Sequence, residues 1–149
     1  RGVFDGAAGD SNVIEYITIA STGNATDFGD ATIGAGSRGS SNSSTRVFAG
    51  GGYPSSGTPI DTIEYVTTAS TGNGTDFGDL TVARALHQGT SDKVRGVFAG
   101  GRLGDSNNSN TMDYITMASA GNATDFGDLN IYVRQYHGTA ISSAHGGLA

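Results

Sequence analysis

The sequence predicts an all-β chain built from three repeats of about 49 residues, each folding into four short antiparallel strands. Ile14-Glu15-Tyr16-Ile17-Thr18 returns as Ile63-Glu64-Tyr65-Val66-Thr67 and again as Met112-Asp113-Tyr114-Ile115-Thr116. Each copy is followed by the same tail: GNATDFGD from Gly23, GNGTDFGD from Gly72 and GNATDFGD from Gly121. A fixed period of this size marks a repeat architecture, in which each unit is one supersecondary element stacked on its neighbours. No segment keeps a 3.6-residue apolar period over three turns. Glycine, 25 of 149 residues, would also weaken any helix by about 1 kcal/mol at each occurrence.

The best-preserved unit shows the elements in order. Arg84 to Thr90 is a short mixed segment that serves as a first strand. Val94 to Ala99 is apolar enough for a buried second strand and stops at Gly100-Gly101. Arg102 to Asn110 is a polar loop of residues that accept turn geometry. Met112 to Met117 is enriched in β-formers and makes a third strand. After the turn Ser119 to Asn122, Thr124 to Leu129 makes a fourth, interrupted by its glycine. Four strands in a repeat of this length describe the blade of a β-propeller, whereas helical repeats need uninterrupted helix formers. The units run 1–34 (lacking its first strand), 35–82 and 83–130, with 131–149 adding a first strand and the start of a second to complete a shared blade. Propellers close with about 4 to 8 blades. Three units are therefore expected to close by oligomerisation (two chains forming a six-bladed ring), to belong to a longer array, or to stack open-endedly as a fibre.

Recurrent residues have architectural readings. Val47-Phe48, Val97-Phe98, Ile63 and Tyr65 suit a blade covered on both faces, each burial stabilising by roughly 1.5–3 kcal/mol. The double glycine permits close backbone approach. Asn24, Asn73 and Asn122 each follow a glycine, as in a hairpin turn with positive φ. Asp27, Asp76 and Asp125, with Asp30, Asp79 and Asp128, are placed to bond nearby backbone N–H groups.

These positions resemble the kelch repeat, a propeller family with an Arg near its first strand, a Gly-Gly pair ending the second, a Tyr in the third and an aromatic residue in the fourth. Here those are Arg84, Gly100-Gly101, Tyr114 and Phe126, and in the preceding unit Gly50-Gly51, Tyr65 and Phe77. Two features depart from the pattern. Phe28, Phe77 and Phe126 stand where kelch repeats carry Trp, and the first unit reads Gly6-Ala7 in place of the double glycine. The phrases RGVFAGG, DYITMAS and TGNATDFGD resemble repeats in predicted virion proteins of marine bacteriophages, above all those of cyanobacteria. That resemblance implies a setting, a tail fibre or capsid appendage, and no mechanism.

Composition narrows the functional classes. The net charge is −6, and one lysine (Lys93) with seven scattered arginines makes no basic stripe, which argues against nucleic-acid binding. Cysteine is absent, so neither disulfides nor thiolate metal sites are expected. No apolar run reaches 18 residues and no amphipathic helix is readable, which argues against membrane insertion. His87, His137 and His145 lack metal-binding spacing and read as structural or surface residues. The Asp-x-x-Asp pairs at 27/30, 76/79 and 125/128 lack further oxygen ligands for calcium. No serine elbow or phosphate loop occurs, and acids at identical places in every unit signal architecture rather than a unique catalytic pair. A non-enzymatic chain with neither cofactor nor metal is expected. The three Asn-x-Thr triplets match a glycosylation acceptor, and in a phage protein they read as turn chemistry.

The copies differ in the loops between second and third strands: Asp5 to Val13, Gly52 to Pro59 and Arg102 to Thr111. Variable loops on a fixed frame are a common way to build a recognition surface, and drift in unconstrained loops produces the same variation. Tyr53, Arg102, Asp105, Asn107 and Asn108 are the exposed-looking, hydrogen-bonding candidates for a glycan or protein partner. The expectation is a virion structural and attachment protein on a phage tail or capsid surface. Its partners would be copies of itself, other virion subunits or a host surface glycan. The alternatives are a bacterial extracellular kelch-like adhesin or filament subunit and, below it, a carbohydrate-active propeller enzyme.

Overall fold

The computed structural model describes residues 1–5, 11–104, 107–131, 140 and 142, and among them every regular element is a β-strand. In chain order these are β1 (Gly2–Phe4), β2 (Val13–Ile17), β3 (Thr26–Asp30), β4 (Gly39–Asn42), β5 (Arg46–Gly50) and β6 (Thr62–Thr67). They are followed by β7 (Thr75–Asp79), β8 (Gln88–Ser91), β9 (Arg95–Ala99), β10 (Thr111–Thr116) and β11 (Thr124–Asp128). Every pairing is antiparallel between consecutive strands, giving a three-stranded sheet β1-β2-β3 and two four-stranded sheets, β4-β5-β6-β7 and β8-β9-β10-β11. The all-β, antiparallel expectation is borne out. No closed ring of sheets forms among the described residues.

Short hairpins build each sheet, and side-chain oxygens shape their turns. Ser43 Oγ accepts the Arg46 N–H at 3.0 Å between β4 and β5. Asp92 Oδ1 accepts the N–H groups of Val94 and Arg95, both at 2.6 Å, between β8 and β9. Those bonds pull the Asp92 carboxyl below its ordinary pKa.

The third and fourth strands share an irregularity at the repeat period. Ile14 faces Gly29 while Glu15 faces Asp27, so Phe28 is the extra residue of a β-bulge; Phe77 and Phe126 occupy the same place in the other sheets. The following glycine has φ of +146° at Gly29, +147° at Gly78 and +125° at Gly127, which L side chains rarely adopt. The glycine that interrupts the fourth strand in sequence is therefore the hinge that aims each Phe. Each ring then meets a third-strand tyrosine edge-on, with Tyr16–Phe28, Tyr65–Phe77 and Tyr114–Phe126 centroids 5.8, 6.0 and 6.0 Å apart.

The core lies between sheets. Phe48, Ile63, Phe77 and Leu80 from the second unit pack with Phe98, Ile115 and Met117 from the third. Ile14, Phe28 and Ala31 pack with Val66, and Val47 joins from the second sheet. Phe48 and Phe98 reach one cluster from opposite sides because the units are offset by one residue. Phe48 lies opposite Tyr65, but Phe98 lies opposite Asp113. A one-residue shift in a strand turns its side chain to the other face, so RVFAGG and RGVFAGG present their Phe in opposite directions.

The same offset corrects the expected glycine pair in the second unit. The left-handed pair is Gly51-Gly52 (φ +61° and +112°), matching Gly100-Gly101 (φ +70° and +106°), whereas Gly50 belongs to β5. The close-approach reading of that pair holds: a Cβ on Gly52 would stand 2.8 Å from the Gly36 carbonyl, and one on Gly101 2.6 Å from that of Ala85. The first strand of the third sheet is also shorter than expected, beginning at Gln88 and leaving Arg84 in the preceding linker.

Strands β4 and β8 approach so closely that a Cβ on Gly89 would overlap the Ser40 carbonyl. Gly36, in contrast, has nothing within 4 Å of its Cβ position. Gly89→Ala should therefore lower unfolding free energy by about 3 kcal/mol or more, and Gly36→Ala by less than about 1, in urea titrations.

Candidate functional site

Backbone bonds hold the variable loops. After β5 the chain turns through Gly51-Gly52, and Tyr53 exchanges backbone hydrogen bonds with Gly36 at 2.8 and 2.9 Å. After β9, Arg102 does the same with Ala85 at 2.7 and 3.0 Å. Gly52 also donates to the Arg84 carbonyl at 3.0 Å, so the linker before the third sheet runs between the two loops. Within the second loop, the Leu103 N–H donates to Asn107 O at 2.8 Å, and Arg102 bridges Asn108.

Tyr53 and Arg102 thus occupy equivalent places in neighbouring loops, with Asn107 and Asn108 beside Arg102. Against the sequence reading, Asn107 alone of the described candidates is exposed; Tyr53, Arg102 and Asn108 are half-buried, because their loops fold back onto the linkers. Asp105 lies outside the described residues, as do His137 and His145. A hydroxyl-bearing cleft of about 300 Å³, lined by Ser43, Ser44, Thr45, Arg46, Lys93 and Met117, opens at the opposite strand ends.

Beneath the loops lies a polar lock that sequence reasoning missed. Glu64 and Asp113 are the third-strand acids of their units, and both are buried. Glu64 Oε2 accepts the Thr32 N–H and its hydroxyl, both at 2.6 Å, while Oε1 pairs with Arg38. Arg38 also pairs with Asp5 at 2.9 Å and donates through Nε to Gly51 O at 3.2 Å. Asp113 repeats the arrangement: Thr81 donates through N–H (3.2 Å) and hydroxyl, and Arg84 Nη1 stands 2.7 Å from Oδ2. Arg84 Nη2 donates to Phe98 O at 3.2 Å. Burial lowers the Arg84 pKa, and the Asp113 charge opposes that shift.

Removing one partner of such a pair leaves an uncompensated buried charge, a loss of about 3–5 kcal/mol. The buried Glu64 crowds the tail of its own unit, while the exposed Glu15 of the first unit stands with Ala25. A Cβ on Gly74 would lie 2.5 Å from Glu64 Oε2, whereas the shorter Asp113 coexists with Ala123. The readable signal was an acid recurring at the repeat period inside an apolar strand, with Thr32 and Thr81 recurring likewise.

His87 completes this layer. Its Nε2 accepts the Gly39 N–H at 3.2 Å, and its ring meets Phe98 edge-on at 5.8 Å. Desolvation, followed by the Arg84 and Arg38 charges, pushes its pKa down from 6.5 to about 3, against a weaker opposing pull from the Gly50 backbone. It is a neutral structural histidine. No cluster of three or more His, Asp or Glu able to hold a metal occurs among the described residues.

The Asn turns are reassigned in part: Gly72 and Gly121 have positive φ (+159° and +156°), but the asparagines that follow them do not. Ser37 and Leu86 are the non-glycine residues with positive φ among those described. Asn73 and Asn122 instead accept the N–H groups of Asp30 and Asp79 across the sheet boundary, at 3.1 and 3.2 Å. Asp125 does bond nearby backbone, accepting the Gly127 N–H at 3.1 Å.

No family model matches the chain, and no curated protein is similar to it.

A folded-state pKa below the unfolded value makes acid destabilising. The contribution of His87 is complete above pH 6.5 and is lost as pH falls toward about 3. In urea titrations the native chain should lose up to about 1.4 kcal/mol per pH unit in this range beyond the loss in His87→Gln, whose amide oxygen can still accept the Gly39 N–H. Parallel pH profiles for the two proteins would contradict the buried neutral assignment.

Proposed function

We propose that this chain is a non-enzymatic structural and attachment module of a bacteriophage particle, its three sheets serving as successive kelch-like propeller blades. The observation that carries the proposal is a fixed frame bearing unlike loops. Bulge, aromatic pair and inter-sheet bonds repeat from unit to unit, while Tyr53 and Arg102 stand at one backbone position with different chemistry. The close approach of β4 and β8 supports a narrow centre around which blades turn. The buried acids Glu64 and Asp113, paired with Arg38 and Arg84 respectively, favour architecture over hydrolysis. The phage setting rests on the sequence resemblance described above.

The partner recognised by the loops would be a host surface glycan or another virion subunit, with Tyr53 supplying an aromatic face and Arg102, Asn107 and Asn108 the polar contacts. A glycan array with purified protein tests the glycan arm. Binding should fall about tenfold or more in Arg102→Ala and Asn107→Ala, with circular dichroism unchanged. Turnover of a polysaccharide, or binding unaffected by both changes, would contradict the proposal.

A further inference from the structure

The boundary between neighbouring sheets is built twice among the described residues, and the first and third sheets each display one half of it. At both internal boundaries the turn of the later unit lies along the edge of the earlier fourth strand. Gly72 N–H donates to Phe28 O and Gly74 N–H to Asp30 O, both at 2.7 Å, and Gly121 and Ala123 repeat this on Phe77 and Asp79 at 2.7 Å. Arg1 reaches Thr68 O at 2.9 Å, and Arg46 reaches Met117 O at 3.1 Å.

The third sheet presents the receiving half. Phe126 is 49% exposed, where Phe28 and Phe77 are 2% and 3% exposed. A Cβ on Gly127 would meet nothing nearer than Met112 Cε at 4.0 Å, although on Gly29 and Gly78 it would strike the backbone of the next turn. Arg95 lies over Tyr114 at 4.7 Å, as Arg46 lies over Tyr65 at 4.5 Å.

The first sheet presents the inserting half. Phe4 pairs with Glu15 as Phe98 pairs with Asp113, yet it is 55% exposed and Phe98 is fully buried. Glu15 is exposed where Glu64 and Asp113 are buried. Ile19, at the position of Thr68 and Met117, is 73% exposed.

We propose that two copies of this chain join head to tail, the first sheet of one seated on the third sheet of the other. Gly23 N–H then donates to Phe126 O, Ala25 N–H to Asp128 O, and Asn24 Oδ1 accepts the Asp128 N–H. Arg95 reaches the Ile19 carbonyl. The two surfaces differ, so the contact is heterologous and extends into a ring or an open filament according to its rotation. The inference deepens the assembly side of the proposed function; it rests on the stacking of sheets and not on the phage setting or on glycan recognition.

Sedimentation velocity over a wide concentration range tests it, using the full chain, Phe126→Ser, and Phe4→Ser/Asn24→Ala. The changed side chains are exposed in the single chain, so circular dichroism should be unaltered. The native chain should associate. Each variant alone should associate on the order of 10- to 100-fold more weakly. An equimolar mixture of the two retains one intact interface per pair and should form a heterodimer and nothing larger. A native chain that stays single at all concentrations, association indifferent to both variants, or a mixture that stays single-chain would overturn the proposal. Loss of glycan binding with assembly intact would sink only the recognition reading, and the reverse result only this one.

Discussion

The interaction on which this structure depends is a turn laid along a sheet edge. Each fourth strand ends its sheet and would otherwise expose unpaired carbonyl and N–H groups. The bulge at Phe28 or Phe77 swings the ring toward the following sheet, and the same residue's carbonyl accepts an N–H from the next Gly-Asn turn. The glycine after each Phe lets that turn approach: a Cβ on Gly29 would lie 2.9 Å from Asn73 N, and one on Gly78 2.8 Å from Asn122 N. One tail sequence therefore does two jobs. Its Gly-Asn start clamps the unit before, and its Asp-Phe-Gly-Asp end receives the clamp from the unit after.

Around this clamp the chain divides its interior into an apolar and a polar layer. The apolar clusters are modest in size and lie between sheets, so a single sheet buries little by itself. The polar layer joins units through Thr32–Glu64–Arg38 and Thr81–Asp113–Arg84, with His87 closing the space against Gly39. Buried ion pairs of this kind seldom add much net stability, because desolvation offsets their attraction. Their geometric demands instead fix the register of one sheet against the next.

Period, strand order and all-β class were legible because they are local: alternating apolar residues, turn residues and recurring phrases all lie within one unit. What escaped was relational. The acids at 64 and 113 lie within the phrase that reveals the repeat, but their partners sit in preceding linkers, where Arg38 and Arg84 do not occupy matching positions. The Asn turns were read as local hairpin devices, and their side chains reach across to another sheet. The left-handed glycines of the second unit were placed one residue early because Gly50, Gly51 and Gly52 are consecutive and only backbone pairing distinguishes them. Tyr53 and Arg102 were found as loop residues, but their backbone bridges, which half-bury them, have no sequence signature.

A chain organised in this way is held at its sheet boundaries, so amide protection there reports on the whole arrangement. Native-state hydrogen exchange at low protein concentration compares the same turn in occupied and open settings. The amides of Gly72, Gly74, Gly121 and Ala123 should exchange as slowly as those inside the strands, and those of Gly23 and Ala25 should exchange freely. Equal, rapid exchange at all six positions would contradict the clamp and the account built on it.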